Sequence, residues 1–388
     1  MTERMFDVAI IGGGIAGCAA AIQLARKNLR VVLCEAKSYP HHKVCGEFLS
    51  PECRILLDDL GLTAAIESVK PAAIHTVAII APNGTSWQTK LPDTAMGLSR
   101  YTLDSLMAAQ ALACGVDFRD LTTVTQVQGS LDNTFKLDIR TATQHDSIRA
   151  RAVVGAHGKR SAIDRGLNRP FLKAPQPFVG LKAHFYGPPL PGRIHLHTFP
   201  GGYCGLSEIE NGQVNVCLLV RQEVFERTCA ASPTAITGFI DWMKTQNPAL
   251  GAWLSAAQPV YEPWISIAQV PFVDKQTIVN DILMVGDSAG LIAPVAGDGM
   301  GMALQASFMA SRLLSAYLSG QISAERLRSH YHAQWWAAFR LRLRLSRLLQ
   351  AWMLRPGWLT PGLQLMNAAP MLGHFLITHT RDSSIVQT

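Results

Sequence analysis

Three glycines near the start of the chain are spaced to grip an anion. The apolar run Phe6-Asp7-Val8-Ala9-Ile10-Ile11 breaks into Gly12-Gly13-Gly14-Ile15-Ala16-Gly17 and continues as a helix-forming segment. Gly12 permits a tight turn, Gly14 lets the main chain approach a pyrophosphate with Ala16 beside it, and Gly17 lets helix and strand pack closely. A second apolar run, Val31 to Cys34, ends in Glu35 and Ala36. An acid about 20 positions beyond the glycines is the acceptor that a ribose hydroxyl pair needs. The chemistry predicted from these residues is the binding of an adenine dinucleotide.

A second glycine-rich signature lies late in the chain. Gly286 and Asp287 follow the apolar run Ile282 to Val285, and Gly297-Asp298-Gly299-Met300 opens a helix. A carboxylate at the end of a strand suits ribityl hydroxyls, and amides at a helix N-terminus suit a phosphate or an electron-rich ring oxygen.

Other side chains could do chemistry. Cys45 lies in the polar segment 38–48 beside Lys43, a cation that would raise its thiolate fraction; it is either part of the reaction or a partly buried thiol. Glu47 is either a proton carrier desolvated by Phe48 and Leu49, or a solvated carboxylate near a helix start. Tyr203, Cys204 and Trp264 are candidate pocket walls, Tyr203 also a candidate catalytic group, with plain core packing as the alternative for the aromatics. His195 and His197 alternate on one strand face without a third ligand at suitable spacing, so no metal is expected. His41 and His42 either meet cofactor phosphates or belong to a solvated loop.

The elements that must hold these residues alternate between α/β and β. Ser50 and Pro51 are predicted to cap and begin a helix closed by Gly61, residues 72–90 a hairpin around Pro82-Asn83-Gly84, and 102–113 an amphipathic helix. A strand at 150–155 leads to Gly155-Ala156-His157-Gly158. From Phe178 the pattern is mainly β, with Asn211-Gly212 as a type I′ turn, helical patterns at 222–256 and a strand at 259–270. A long helix follows near 300–318, then helices broken at Pro356, Pro361 and Pro370. The expected organisation is a discontinuous dinucleotide domain (1–70, 100–170 and 275–320), an inserted β-sheet substrate domain (71–99 and 171–274) and a C-terminal helical region (321–388).

Composition narrows the setting. The chain of 388 residues is 48% hydrophobic and 16% charged, which suits a large core or a greasy ligand site. No apolar run is long enough for a spanning helix, and the first strand starts too early for a signal peptide. Eight scattered cysteines without a C-x-x-C pair point to a reducing cytoplasm rather than to disulfides. The net charge of +7 is matched by seven arginines within 326–355, a segment with no acid, which is unlike a nucleic-acid readout surface. In 335–352, Arg340, Arg344 and Arg347 form one stripe, with Leu341, Leu345, Leu348, Leu349 and Trp352 largely opposite. Such a helix either packs on its own dinucleotide domain with a solvated basic face or lies on an anionic membrane surface.

With these motifs together, the chain resembles the FAD-dependent superfamily of aromatic hydroxylases, flavin halogenases and geranylgeranyl reductases. The glycines at 12–17, Arg100 ahead of Leu103, Asp104 and Leu106, Gly155 to Gly158, Gly286-Asp287 and Gly297 to Met300 carry the resemblance. It implies a glutathione-reductase-type, Rossmann-like FAD domain and a β-sheet covering the isoalloxazine. By the same resemblance Arg100 meets the FAD phosphates or ribityl chain, Asp287 the ribityl hydroxyls, and Gly299 and Met300 the pyrimidine edge. Gly158 borders the approach of a nicotinamide. His157 stands where hydroxylases carry aspartate, and Ser288-Ala289-Gly290 replaces their Ala-Ala-His. Lys43-Val44-Cys45-Gly46 and Phe199-Pro200-Gly201-Gly202-Tyr203 resemble the reductase branch. The halogenase tryptophan-x-tryptophan signature is absent; Glu262-Pro263-Trp264-Ile265 only echoes it. The leading expectation is an FAD oxidoreductase, supplied with electrons by NAD(P)H, that reduces a lipophilic unsaturated molecule. A monooxygenase is the nearest alternative, followed by a halogenase or an electron-relay flavoprotein.

Overall fold

The computed structural model describes residues 5–229 and 235–369. Two sheets organise them. In the first, Val31–Cys34, Met5–Ile11, His145–Gly155 and Ile282–Met284 run parallel in that spatial order, with Asp117–Arg119 beyond Val31–Cys34. The four residues of Val31–Cys34 are all buried, as a parallel strand covered on both faces requires. Thr123–Gln128 and Phe135–Arg140 extend His145–Gly155 as an antiparallel arm.

The helix Ile15–Ala25 follows the first strand and packs on the long helix Gly299–Leu318. Both contacts depend on small side chains: Ala19, Ala20 and Ala21 are fully buried, and the Ser307 hydroxyl donates to the Ala16 carbonyl at 2.8 Å. The start and the late part of the chain thus meet around the glycine turns.

The second sheet is mostly antiparallel. Phe178–Tyr186, Val214–Arg221, Gly202–Glu208 and Arg193–Phe199 lie side by side, and Ala72–Ile80 then joins Arg193–Phe199 in parallel. Ser86–Gly97 pairs with Ala72–Ile80 and with the two-residue strand Phe48–Leu49. One face of this sheet packs on the helices Gln222–Cys229, Ala235–Gln246 and Pro248–Ala256 through Leu181, Cys204, Val216 and Phe239. Asn211 and Gly212 both have positive φ (62° and 67°), the backbone of the tight hairpin predicted there.

Three local expectations are revised. Phe48 and Leu49 are drawn into the second sheet, so Ser50 to Glu52 form a turn and the helix starts at Cys53 rather than Pro51. The strand at 259–270 shrinks to Gln258–Pro259 and Ile265–Ile267, both on the edge of Phe178–Tyr186. The helix Pro356–Ala368 runs through Pro361, whose missing amide falls one turn from the start, opposite Gly357. Pro370 lies outside the described residues.

The C-terminal helix Ala324–Met353 also turns differently from the predicted stripe. Its inner face is Tyr331, Trp335, Phe339, Arg342, Leu343, Ser346, Gln350 and Met353. Leu341 and Leu348 are 59% and 67% exposed, on the same side as Arg340 and Arg344. Close packing fixes this rotation: a Cβ on Gly290 would stand 2.6 Å from the Trp335 ring, and buried Arg342 reaches Asp298 at 3.0 Å.

Candidate functional site

Between the sheets runs a cavity of about 630 Å³ whose wall takes residues from both ends of the chain. The glycine turn sets one end. Gly12 has φ 103°, and a Cβ there would lie 2.5 Å from the Ala156 carbonyl oxygen. A Cβ on Gly17 would fall 1.9 Å from the Gly12 oxygen, so only glycine lets the helix close on the strand. Gly14 differs, because a Cβ there would point at Arg100 Nη2 (3.5 Å) and Lys43 Nζ (3.6 Å). Glu35 accepts from the Gly13 amide at 2.8 Å through one carboxyl oxygen and from the Lys37 amide at 3.1 Å through the other.

Arg100 forms a bidentate pair with buried Asp104 (2.7 and 2.8 Å), and Lys43 reaches the same carboxylate at 3.0 Å. Burial alone would raise the Asp104 carboxyl, but these two cations outweigh it and hold it below its ordinary value. One carboxylate shared by two cations leaves net positive charge next to the half-buried Gly14 backbone. That is the donor set a pyrophosphate needs, and it fits the adenine dinucleotide half of FAD.

Of the residues expected to hold cofactor, Gly12, Gly14, Ala16, Glu35, Ala36, Lys43, Arg100, Gly158, Gly286, Asp287, Gly297, Gly299 and Met300 all stand on the cavity wall, whereas Gly17 packs behind it. Asp287 is held by its backbone: its carbonyl accepts from Lys275 Nζ at 2.8 Å. The Gly158 amide donates to Ser288 Oγ at 2.8 Å, joining the two late turns. His157 turns to Asp164 at 3.0 Å, and Asp164 also pairs with Arg169 at 2.9 Å.

Cys45, Glu47 and Tyr203 also stand on the wall, Cys45 and Glu47 next to the cationic pair. The solvated alternative for Glu47 is overturned, since its side chain is fully buried. One carboxyl oxygen pairs with Lys182 Nζ and accepts from the Arg100 amide at 2.7 Å; the other meets His184 Nε2 at 2.7 Å. Burial would raise the Glu47 carboxyl, but Lys182 and His184 together hold it below the usual carboxylate range. His42 lies between the rings of Tyr101 (4.6 Å) and Tyr261 (4.3 Å), edge-on to His184 (5.1 Å). Burial and the nearby Lys182 push its imidazole down to about 4. Cys45 is tied to this group through Asn215, whose side-chain amide donates to the Cys45 carbonyl at 3.1 Å, and through the Glu47 amide, 3.4 Å from the Cys45 sulfur.

Tyr203 is buried, and its hydroxyl donates to Gln350 Oε1 at 3.2 Å on the C-terminal helix. Burial pushes its phenol well above its ordinary value, so it acts as a neutral hydrogen-bonding wall. Two expected pocket residues are misplaced. Tyr203 and Gly205 face the cavity, so Cys204 between them faces the helices behind the sheet. Trp264 packs there too, 5.6 Å from the Phe185 ring. His195 and His197 are 5.8 Å apart by ring centres, and among the described residues no group of three or more His, Cys, Asp or Glu could hold a metal.

Sequence reasoning passed over Lys182 and His184. The available signal was two polar residues two apart on one face of the otherwise apolar strand Phe178–Tyr186. It also passed over Asp104 as the partner of Arg100, although an Arg and an Asp four apart in a helix share a face.

The glycine turn, the carboxylate after the second strand and the cationic pair at Gly14 define a dinucleotide-binding flavoprotein fold. Residues 5–186 match the family described as FAD binding domain. Over most of its length the chain is similar to Conditioned medium factor receptor 1 of Dictyostelium discoideum (23% identity, 91% of this chain and 72% of the relative). It is also similar to Menaquinone reductase of Mycolicibacterium smegmatis (24%, 89% and 86%) and Digeranylgeranylglycerophospholipid reductase 1 of Methanococcoides burtonii (23%, 87% and 81%). In fold it superposes on the myxobacterial chondrochloren halogenase, an FAD-dependent halogenase, with a TM-score of 0.80 at 20% identity over 99% of this chain and 93% of the other.

Proposed function

We propose that this protein is an FAD-dependent oxidoreductase that saturates a carbon–carbon double bond in a lipophilic, prenylated substrate, with NAD(P)H as electron donor. The observation that carries this reading is the cavity wall supplied by the second sheet and the segment after it: Val77, Leu91, Ile194, Leu196, Leu219 and Leu291. A hydrocarbon chain is the ligand such a wall favours. The reductase relatives support it, because the name digeranylgeranylglycerophospholipid itself describes prenyl chains.

FAD, when bound, supplies the two-electron chemistry. The residues of this chain do the rest. Gly14, Arg100 and Lys43 hold the pyrophosphate, Glu35 the adenosine ribose and Asp287 the ribityl chain. Tyr203 and the apolar wall orient the substrate and exclude water. Saturation of a double bond also consumes a proton, and Cys45 delivers it from Sγ. Behind it, Lys182 and His184 keep the Glu47 carboxylate charged and fix the loop that carries Cys45.

The test is anaerobic turnover. Protein loaded with FAD is reduced and mixed with a prenylated lipid that has no quinone head group, in the absence of O₂. The expected result is reoxidation of the flavin absorbance and a product heavier by two hydrogens for each bond reduced. Product formed only when O₂ is admitted, carrying oxygen or halogen, would replace this reading with a monooxygenase or halogenase. Cys45→Ala is expected to slow substrate reduction while FAD remains bound; unchanged turnover would remove Cys45 from the proton step.

A further inference from the structure

We infer that the outer face of the last two helices, Ala324–Met353 and Pro356–Ala368, is a landing surface for an anionic lipid bilayer. Arg340, Leu341, Arg344 and Leu348 recur at helical spacing along one exposed stripe, and exposed Arg355 lies at the join of the two helices. Trp358 (69% exposed) and Leu348 (67%) are the most exposed large apolar side chains among the described residues, followed by Leu341 (59%), with Leu365 and the distant Leu121 at 58%. A soluble surface seldom gathers so much apolar area in one place without a partner.

Charge selects the partner. No Asp or Glu occurs between 326 and 369. The inward and flanking arginines are already engaged: Arg328 with Asp281 and Asp132, Arg342 with Asp298, and Arg347 with Asp274. Arg340, Arg344 and Arg355 make no ion pair among the described residues and stand beside the exposed leucines. Arginine interleaved with leucine and tryptophan on one helical face is the pattern of an interfacial helix on acidic lipid.

The inner face of the same helices supplies a second argument. Met353, Leu354, Leu359, Leu363 and Met366 share one apolar core with Leu196, Tyr203, Leu219 and Leu291 of the cavity wall. The helices are thus a layer whose outside suits lipid and whose inside roofs the apolar part of the cavity. The proposal concerns where the chain docks, so its test reads lipid binding and not turnover.

The full chain is sedimented with vesicles of phosphatidylcholine alone and of equal parts phosphatidylcholine and phosphatidylglycerol, at low and high salt. Binding is expected only to the mixed vesicles, with release by salt. The double variant Arg340→Glu, Arg344→Glu is expected to lower partitioning by about tenfold or more, with flavin content and melting temperature unchanged. Leu348→Asn with Trp358→Ser should weaken binding to the mixed vesicles at low salt. Failure of the unmodified chain to bind mixed vesicles at low salt overturns the proposal, as does binding that survives charge reversal. A stable dimer in light scattering that Leu348→Asn dissociates would instead assign the face to a second copy of the chain and overturn it as well.

Discussion

Two neighbouring parts of the cavity wall are built from different materials. Around the glycines the main chain sets the shape: the first turn, a Gly17 that admits only hydrogen, and the Gly13 amide fixed on the Glu35 carboxylate, with Arg100 and Lys43 set over Gly14. Around Glu47 the wall is made of buried charged side chains, drawn from the 42–47 loop and the strand Phe178–Tyr186 and fastened to the Arg100 amide. A backbone site is specific for a shape common to every dinucleotide, and tolerates no added atoms. A buried charge cluster is specific for its own partners, and tolerates no missing ones. The molecule sets a shape-specified turn and a charge-specified cluster side by side.

That contrast can be broken in order of expected effect. Glu47→Ala leaves Lys182 buried without its carboxylate and should cost about 3–5 kcal/mol in urea unfolding. Adding Lys182→Met should restore much of the loss; an effect under about 1 kcal/mol for the single variant would make the cluster a surface-like pair. Gly17→Ala should cost about 1–3 kcal/mol and abolish FAD retention during gel filtration. Gly166→Ala is the control, since a Cβ there meets nothing within 4 Å and lies off the cavity wall, and it should leave stability and FAD content unchanged. Tyr203→Phe removes one buried hydrogen bond and should cost about 0.5–1.5 kcal/mol, with FAD retained.

The smallest effect is a pH dependence. The folded state holds His42 at about 4 against an ordinary 6.5, so it favours the neutral imidazole. Its contribution to stability is complete above 6.5 and is lost as pH falls from 6.5 to 4. Asp164, held at about 2 against 3.8, loses its contribution only between those lower values. Melting temperature against pH should therefore decline less steeply between pH 6.5 and 4 in His42→Gln than in the unmodified chain. Identical slopes would sever His42 from the cluster.

The difference in materials also explains what the sequence disclosed. Glycines at 12, 14 and 17 with Glu35 mark a strand–turn–helix locally, so the parallel sheet and its cofactor end can be read without tertiary information. The hairpin at Asn211-Gly212 is legible for the same reason. Lys182 and His184 acquire meaning only when their strand is set against Glu47, 135 and 137 residues away in sequence. Cys204 and Trp264 were misplaced because the second sheet is covered on both faces, so alternation says which residues share a side but not which side holds the cavity. The rotation of Ala324–Met353 was equally hidden, because Arg342 is buried by an ion pair with Asp298 that hydrophobic periodicity cannot reveal.

Glu47 also constrains traffic. Its carboxylate, together with Glu210 on Ser99 and Thr102, fastens the front of the helix Arg100–Ala113 to the opposite sheet. Swinging the halves apart like a jaw would strand acids and a lysine in a dry seam. These carboxylates act as polar rivets between the two sheets.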